Sequence, residues 1–494
     1  MNILKVMLIF VKKRKITILY FFSNYVCKIL FMVYRVITAS ILGPVNYGLW
    51  SIFALFLRYA DFLHLGFGNA LTKEVSFFRG RGDSSKIDEI RSVIFSSIAI
   101  ISAFVSIAIF VSSTLSLIKI GINMVITFYL LALIVILQQI DNYFIFYFFA
   151  EQNFNAISVS RICAVLITGP IAVISTIIFN FKGIMPGIVL GHFLSLAYIY
   201  KKYHPLIRFK VCFKKSVALI KIGFPMMAMA FVFTLFFTVD KILIFKFLGK
   251  SSLGYYGVAA GLSDLFFLFP SCLGAKIFPE FSESYGKTGE STFLRASVCK
   301  LTFLIAYVMS FILVIVYWLL PFGVTIMLPQ YIPGISAARL ALVGILFLSI
   351  SIPAQSFLIT VNRQRNCFFM ILLALILKSL LSLFFIHRQM GIEGVAIASN
   401  IAYFSYGISI IIYAFFCWEK DIFELLRYLC RIYFPSLYLF LLVIGLNYVK
   451  DMQFLINLGW RTQFSIYGIS FIVFVVLPFG YLMRNKIIPF LAKK

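Results

Sequence analysis

Nine charged residues lie well away from the ends of stretches of sequence that are otherwise almost wholly apolar. The basic ones are Lys28, Arg35, Arg58, Lys241 and Lys378. The acidic ones are Asp61, Asp141, Asp240 and Asp264. A charge within an apolar membrane segment costs a few kcal/mol, so it is expected to face a partner or a water-filled cavity. These nine residues are therefore the candidates for chemistry.

The basic residues have the spacing of a binding surface. Asn24, Lys28 and Arg35 fall on one stripe of a helix, and Arg58 and Asp61 lie one turn apart. Such a surface would attract a pyrophosphate, whose charges need Arg or Lys once water is reduced. The alternative is that these residues form structural ion pairs or snorkel to the membrane surface, and Arg58 with Asp61 could simply neutralise each other.

A second basic group comes from the second half of the chain. Thr234, Thr238 and Lys241 share a helical stripe, and Lys378 is followed one turn later by Ser382. Contributions from both halves are expected for a cavity between two bundles of helices.

The four acidic residues are candidates for carrying a proton or a sodium ion that couples transport. Asp240 cannot share a stripe with Lys241, because successive helical residues point about 100° apart. Asp141 follows Gln138 and Gln139 and precedes Asn142. Hydrogen bonding between helices, which would fix a bundle, is the competing interpretation.

The elements that must position these residues are membrane helices. Of the 494 residues 62% are hydrophobic and only 12% charged, against about 25% charged in a soluble domain. Fourteen runs have the length that spans a bilayer as helix. Their approximate limits are 16–41, 47–71, 93–118, 125–149, 157–178, 184–200, 220–247, 252–278, 296–320, 337–361, 367–386, 392–416, 433–449 and 464–482. We therefore predict an all-α polytopic membrane protein.

The net charge of +27 suggests a nucleic-acid partner until the basic residues are placed along the chain. About 31 of the 44 Lys and Arg fall at alternate connections, on one side of the predicted membrane. This bias is the positive-inside rule. It predicts that both termini are cytoplasmic and that no nucleic acid is bound. The first run, of about 26 residues, is too long for a signal peptide and is expected to remain as a membrane helix.

Enzyme chemistry finds little support in the sequence. Gly249-Lys250-Ser251 resembles the end of a phosphate loop, but the required earlier glycine is Ile244. The eight Cys and four His lack metal-ligand spacing. We expect no catalytic residue, metal or cofactor. Two segments that mix basic and apolar residues, Arg208 to Lys221 and Glu419 to Arg431, are expected to form interfacial helices on anionic lipid.

An internal repeat divides the chain. Residues 42–51 align without gaps with residues 248–257, at an offset of 206. Six predicted spans then fall in each half, so the halves are expected to share one orientation about an axis along the membrane normal. The predicted domains are 1–215 and 216–418, each a six-helix bundle, and 419–494, which carries an amphipathic segment and the last two spans.

The repeated segments also carry a family resemblance. Leu42-Gly-Pro-Val-Asn-Tyr-Gly-Leu-Trp, with Leu65-Gly-Phe-Gly-Asn-Ala-Leu, resembles the first-half signature of polysaccharide-exporting flippases in the multidrug/oligosaccharidyl-lipid/polysaccharide exporter superfamily. The second-half signature is resembled by Ile222-Gly-Phe-Pro225, Asp240-Lys241, Leu248-Gly249 with Leu253-Gly-Tyr-Tyr256, and Phe278-Pro279. One departure is His64, where the family often has an acidic residue.

The resemblance implies an O-antigen (Wzx-type) or exopolysaccharide flippase. Its substrate would be a polyprenyl-pyrophosphate-linked oligosaccharide of lipopolysaccharide or a related surface polysaccharide, carried across the bacterial inner membrane by alternating access. The implied partners are membrane lipid, a proton or sodium ion, and the polysaccharide polymerase and chain-length proteins. The alternatives are a multidrug/cation antiporter of the same superfamily and a membrane-bound transferase of polysaccharide synthesis.

Overall fold

The computed structural model describes residues 3–116, 121–288 and 294–450, and in these ranges it consists of α-helices joined by short turns and connections. The helices are α1 Ile3–Ala60, α2 Phe67–Gly80, α3 Ser84–Leu115, α4 Ile122–Ala150, α5 Phe154–Cys163, α6 Gly169–Phe179, α7 Phe181–Tyr203, α8 Phe213–Thr288, α9 Arg295–Met327, α10 Ile335–Thr360, α11 Gln364–His387, α12 Gly391–Phe416 and α13 Ile422–Lys450. Helix satisfies every backbone polar group internally, which apolar surroundings demand. The all-α fold class is therefore confirmed.

Ten helical stretches within the described residues are long and apolar enough to cross a membrane. Two of them, Ser23–Arg79 and Phe213–Gly274, are each long enough for two crossings. All of the first twelve predicted spans overlap these ten stretches, and the span at 433–449 falls within α13. The last predicted span, 464–482, lies outside the described residues. The total of fourteen therefore stays a prediction.

Both long helices are broken at a glycine. Gly43 in α1 has φ 67° and ψ 172°, and Gly249 in α8 has φ 86° and ψ −176°. This region of backbone space is essentially restricted to glycine. The two breaks are 206 residues apart, so the offset found in the sequence also relates the two unusual backbone conformations.

The same two segments touch each other. A methyl group added to Gly48 would overlap the carbonyl of Lys250, and one added to Gly254 would overlap the carbonyl of Pro44. Gly48 and Gly254 are 206 residues apart, and so are Pro44 and Lys250. The contact is therefore reciprocal, as a local two-fold axis requires.

The predicted span 47–71 is not one continuous helix. Helix α1 ends at Ala60, a 3₁₀ turn covers Asp61–His64, and α2 begins at Phe67. Leu65 and Gly66 both have positive φ, and the Gly66 amide donates to Nδ1 of His64 at 3.0 Å. Gly66 lies directly against the backbone of Gly223. Small residues therefore pack closely at this motif, and the expectation of an uninterrupted helix is wrong.

The predicted interfacial helices are also different in the structure. Residues 204–212 form no helix, and α8 begins only at Phe213. At the other segment, α13 begins at Ile422 and continues to Lys450. Helix α8 likewise runs on from Phe213 into membrane-spanning sequence, so neither segment is a separate helix.

By their internal contacts, the residues divide into two compact units, Met1–Val258 and Ala259–Lys494. In the first unit a core of apolar side chains from α2, α3, α4, α5 and α7 includes Phe67, Val93, Tyr143 and Ile157. In the second unit α10 packs against α9 and α12, and α11 packs along α12. The predicted boundary at 215/216 came from internal symmetry rather than contacts, and it stays a prediction.

Candidate substrate and ion site

Asp61 is held by the amide side chains of α4. Its Oδ1 accepts from Gln138 Nε2 at 2.5 Å and from Asn142 Nδ2 at 3.1 Å. Gln138 Nε2 also donates to the carbonyl of Leu57 at 3.1 Å. Amides of α4 therefore satisfy both the Asp61 carboxylate and a carbonyl group left open where α1 ends.

Gln139 has the same capping function at the end of α1. Its Nε2 donates to the carbonyl of Ala60 at 2.6 Å, and its side chain is fully buried. The competing interpretation of this polar cluster, hydrogen bonding that fixes the bundle, therefore describes what Gln139 does. Asp61 differs, because a carboxylate can also hold a cation or a proton.

Asp141 is within electrostatic range of two charged side chains of opposite sign. It interacts electrostatically with Asp61 and with Arg161 of α5, and within the described part of the chain it makes no hydrogen bond. Arg161 in turn donates through Nη1 to the Oδ1 atom of Asn24 on α1. A polar path therefore runs from Asp61 past Asp141 and Arg161 to Asn24.

Lys28 lies one turn beyond Asn24 on α1, and its side chain is exposed. Two turns further, the half-buried Arg35 donates through Nη2 to the carbonyl of Gly257 at 3.5 Å and lies 6.0 Å from the Phe31 ring. The predicted stripe of Asn24, Lys28 and Arg35 thus exists as one helical face, with its two ends engaged by α5 and α8.

Asp240 and Lys241 are both buried on α8. Asp240 accepts from the Tyr256 hydroxyl at 2.6 Å and from the amide of Lys241 at 2.9 Å. Tyr256 precedes Gly257, whose carbonyl accepts from Arg35. Arg35 of α1 and Asp240 of α8 therefore both contact the same turn of α8, at Tyr256 and Gly257.

A second contact joins α1 to the stripe on α8. The Tyr59 hydroxyl and Thr238 Oγ1 are 2.5 Å apart, and Thr238 Oγ1 also donates to the carbonyl of Thr234 at 2.8 Å. Tyr59 follows the half-buried Arg58 and interacts electrostatically with Asp240. Arg58, Thr238 and Asp240 thus belong to one polar group. We call this group, the path to Asn24, and Lys28 and Arg35 on the same helix the α1 polar network.

The second unit holds the two remaining candidates. Lys378 of α11 is fully buried, and its Nζ donates to the Tyr403 hydroxyl at 3.1 Å and lies 4.8 Å from the centre of that ring. Ser382, one turn on, is equally buried. Asp264 is half-buried on α8. The roles predicted for Lys378 and Asp264 stay predictions.

Three members of the network were not predicted as site residues. The charge bias places Arg161 among the about 31 cytoplasmic basic residues, although it lies inside the predicted span 157–178. Tyr59 is adjacent to Arg58, and Tyr256 lies in Leu253-Gly-Tyr-Tyr256, within the second of the two repeated segments. Tyrosine is common in membrane proteins, so its type alone carried no signal.

Comparison with known proteins supports the fold and gives a family. A family model described as polysaccharide biosynthesis protein matches residues 14–285. No curated protein sequence matches significantly.

Several solved structures share the fold. One is the lipid II flippase MurJ in an inward closed conformation, with a TM-score of 0.68, 17% identity, and coverage of 94% of this chain and 100% of that one. An inward-facing multidrug resistance MATE transporter of the MOP superfamily has a TM-score of 0.65, 14% identity, and coverage of 78% and 93%. A MATE structure in a bent conformation has a TM-score of 0.57, 13% identity, and coverage of 86% and 97%.

Proposed function

Because the chain belongs to the polysaccharide biosynthesis protein family and folds as a multi-pass membrane transporter, we propose that it is a flippase for a lipid-linked oligosaccharide. Its substrate is a polyprenyl-pyrophosphate-linked repeat unit of O-antigen or a related surface polysaccharide. It moves this substrate across the bacterial inner membrane by alternating access, with both termini in the cytoplasm, and delivers it to the polymerase and chain-length proteins. It needs no catalytic residue.

The observation that carries this proposal is the basic content of the α1 polar network. Lys28, Arg35 and Arg58 lie along α1, and Arg161 lies against the same helix. A pyrophosphate stripped of part of its water needs Arg or Lys donors, and bidentate Arg contacts are the strongest of these. The polyprenyl chain stays in the lipid, because its transfer into a polar site would lose hydrophobic stabilisation.

Asp61 and Asp141 are acidic residues of the network and candidates for binding the coupling ion. We propose that one of these carboxylates takes up a proton or sodium ion and that the neighbouring Arg161 responds to the change of charge. Because Arg161 holds Asn24, one turn from Lys28, loading of the ion and the position of the substrate-binding face are linked through α1. Asp240, held by Tyr256 against the turn that Arg35 contacts, is the third candidate for the ion.

The test is export of lipid-linked glycan by Lys28→Ala, Arg35→Ala and Arg58→Ala variants, measured as glycan accessible on the outer leaflet of cells or vesicles. Export is expected to fall at least about tenfold at unchanged protein level, because one charge-assisted contact contributes about 1.5 to 3 kcal/mol. Lys182→Ala and Lys246→Ala are the matched controls, since both side chains are exposed and outside the network. Unchanged export in all three α1 variants would refute the cationic site.

The antiporter alternative is decided in the same cells. The MATE structures share the fold, so drug efflux is the natural second activity to measure. Efflux of a cationic dye that depends on this chain, together with normal glycan export in its absence, would replace the flippase assignment.

A further inference from the structure

Residues 204–212 connect α7 to α8, and with Phe213 and Lys214 at the start of α8 they form a segment, here called the connection, that alternates in character along its length. Ile207, Phe209, Val211 and Phe213 are apolar, and the residues between them are Arg208, Lys210 and Cys212. Residues 204–212 run without helix or turn. The apolar and the basic side chains of this segment are therefore interleaved and exposed, and we call these two sets its apolar face and its basic face.

The apolar face is open. Phe209, Val211 and Phe213 are 71%, 73% and 83% exposed. The basic face belongs to a longer stretch, residues 201–221, that contains seven Lys and Arg and no acidic residue. An exposed apolar face beside a basic one is the pattern of a segment that lies in the boundary between headgroups and acyl chains.

Contacts with α3 and α4 fix the backbone of this connection while leaving both faces open. The Lys210 amide donates to Ser96 Oγ at 2.7 Å, and the Tyr143 hydroxyl donates to the Leu206 carbonyl at 2.9 Å. The Phe95 and Phe209 rings meet edge to face at 5.2 Å. The connection is therefore held in place rather than free to fold back on itself.

Some basic residues of this stretch pair with Glu89 of α3, and others do not. It accepts from Lys210 at 2.6 Å and also pairs with Lys215. Arg208, Lys214 and Lys221 are exposed and have no acidic partner among the described residues. These three charges are available to an external anion.

We infer that the connection docks on the bilayer surface, with Phe209, Val211 and Phe213 in the acyl region and Arg208, Lys214 and Lys221 on the phosphates of anionic phospholipid. The connection joins two membrane-spanning helices and therefore lies at the membrane surface. Its backbone lacks internal helical hydrogen bonds, so it belongs at the level of the headgroups rather than in the hydrocarbon. This inference does not rest on the flippase assignment.

The test is amide hydrogen exchange of residues 204–214 in the full chain, held in phosphatidylcholine nanodiscs with increasing fractions of phosphatidylglycerol. Protection should rise with phosphatidylglycerol. In a variant with Arg208→Gln, Lys214→Gln and Lys221→Gln, protection at every phosphatidylglycerol fraction should be lower than in the wild type, because docking weakens about fivefold for each charge removed. A variant with Lys182→Gln, Lys246→Gln and Arg388→Gln removes three exposed charges elsewhere and should respond as the wild type does.

Two further measurements test whether the apolar side chains contribute and whether the anion is phospholipid or soluble phosphate. Phe209→Ser with Phe213→Ser should lose protection in both lipids at an unchanged unfolding temperature in detergent. Wild-type protection that does not change with phosphatidylglycerol would overturn the inference. So would a loss of protection in the control triple variant equal to that in the Arg208, Lys214 and Lys221 variant. So would full protection by inorganic phosphate in phosphatidylcholine discs, because the ligand would then be a soluble anion.

Discussion

At the scale of single residues, the effect of the Asp61 negative charge can be separated from the effect of the hydrogen bonds that its side chain accepts. Asn at this position keeps an oxygen that accepts from Gln138 and Asn142, whereas Ala removes this acceptor from Asn142 and leaves Gln138 with the Leu57 carbonyl alone. Asp61→Ala is therefore expected to lower the free energy of unfolding by about 1 to 3 kcal/mol, and Asp61→Asn by less. Thermal unfolding in detergent measures the difference.

The same two variants test ion coupling. Both should lose the stimulation of glycan export by a proton or sodium gradient, because neither side chain carries a charge that can be neutralised. An Asp61→Asn protein whose export still responds fully to both gradients would leave Asp61 with a purely structural role.

The sequence predicted which residues are charged within the membrane but not which of them meet. Lys28 and Arg35 share a stripe because helical periodicity dictates it. The pairing of Arg161 with Asn24, across 137 residues, depends on how α1 and α5 pack. No local pattern encodes that distance, and for this reason Arg161 was assigned to the cytoplasmic set.

At the scale of elements, the reciprocal glycine contact makes a paired prediction. Gly48→Ala and Gly254→Ala each push a methyl group into a backbone carbonyl of the opposite segment. Because the contacts are equivalent, the two variants should be destabilised similarly, by about 1 to 3 kcal/mol each. Unfolding temperature and glycan export are the measurements.

Variants at two other glycines distinguish destabilisation by crowding from destabilisation by backbone strain. Gly323 lies in helix α9 with open space around it, so Gly323→Ala should be neutral or slightly stabilising. Gly249 also has open space, but its φ is 86°, so Gly249→Ala should be destabilised through the backbone alone. Equal behaviour of Gly48→Ala and Gly323→Ala would show that the reciprocal contact does not exist.

The helices themselves followed from hydropathy, because every long apolar run must bond its own backbone. Their interruptions were less accessible. The break at Gly43 coincides with a connection that the repeat had marked, whereas the break at Leu65 and Gly66 interrupts an apolar run. It depends on contact with Gly223, which is distant in sequence. The sequence predicts helix in the connection after α7 because its mixed apolar and basic residues also fit a helical period over so short a length.

At the scale of the whole molecule, the distribution of basic residues predicts the topology. Arg81 and Arg388 are both exposed, and the charge bias assigns them to opposite sides of the membrane. In a variant with Cys430→Ser, an impermeant maleimide applied to intact cells should label Arg388→Cys and leave Arg81→Cys unlabelled until the membrane is opened. Labelling of both from outside would contradict the assigned orientation.

The family and the all-α membrane fold could be predicted from sequence, since the motifs near Gly43 and Gly249 are local and ordered. The glycan could not, because sugar specificity depends on side chains brought together by packing rather than on a spaced motif. The domain boundary depends on whether symmetry or contact defines a domain, and the unit Met1–Val258 contains residues from both repeated segments.

The reciprocal contact of Gly48 and Gly254 has an evolutionary consequence. It is the contact that a half-length chain would make with a second copy of itself about a two-fold axis. In such an ancestor one glycine codon would have specified both sides, and any mutation would have changed both at once. Once the halves are fused, each side can mutate alone. Glycine stands at both positions in this chain, whereas the contact partners Pro44 and Lys250 differ in residue type, because each offers only its backbone carbonyl to the contact.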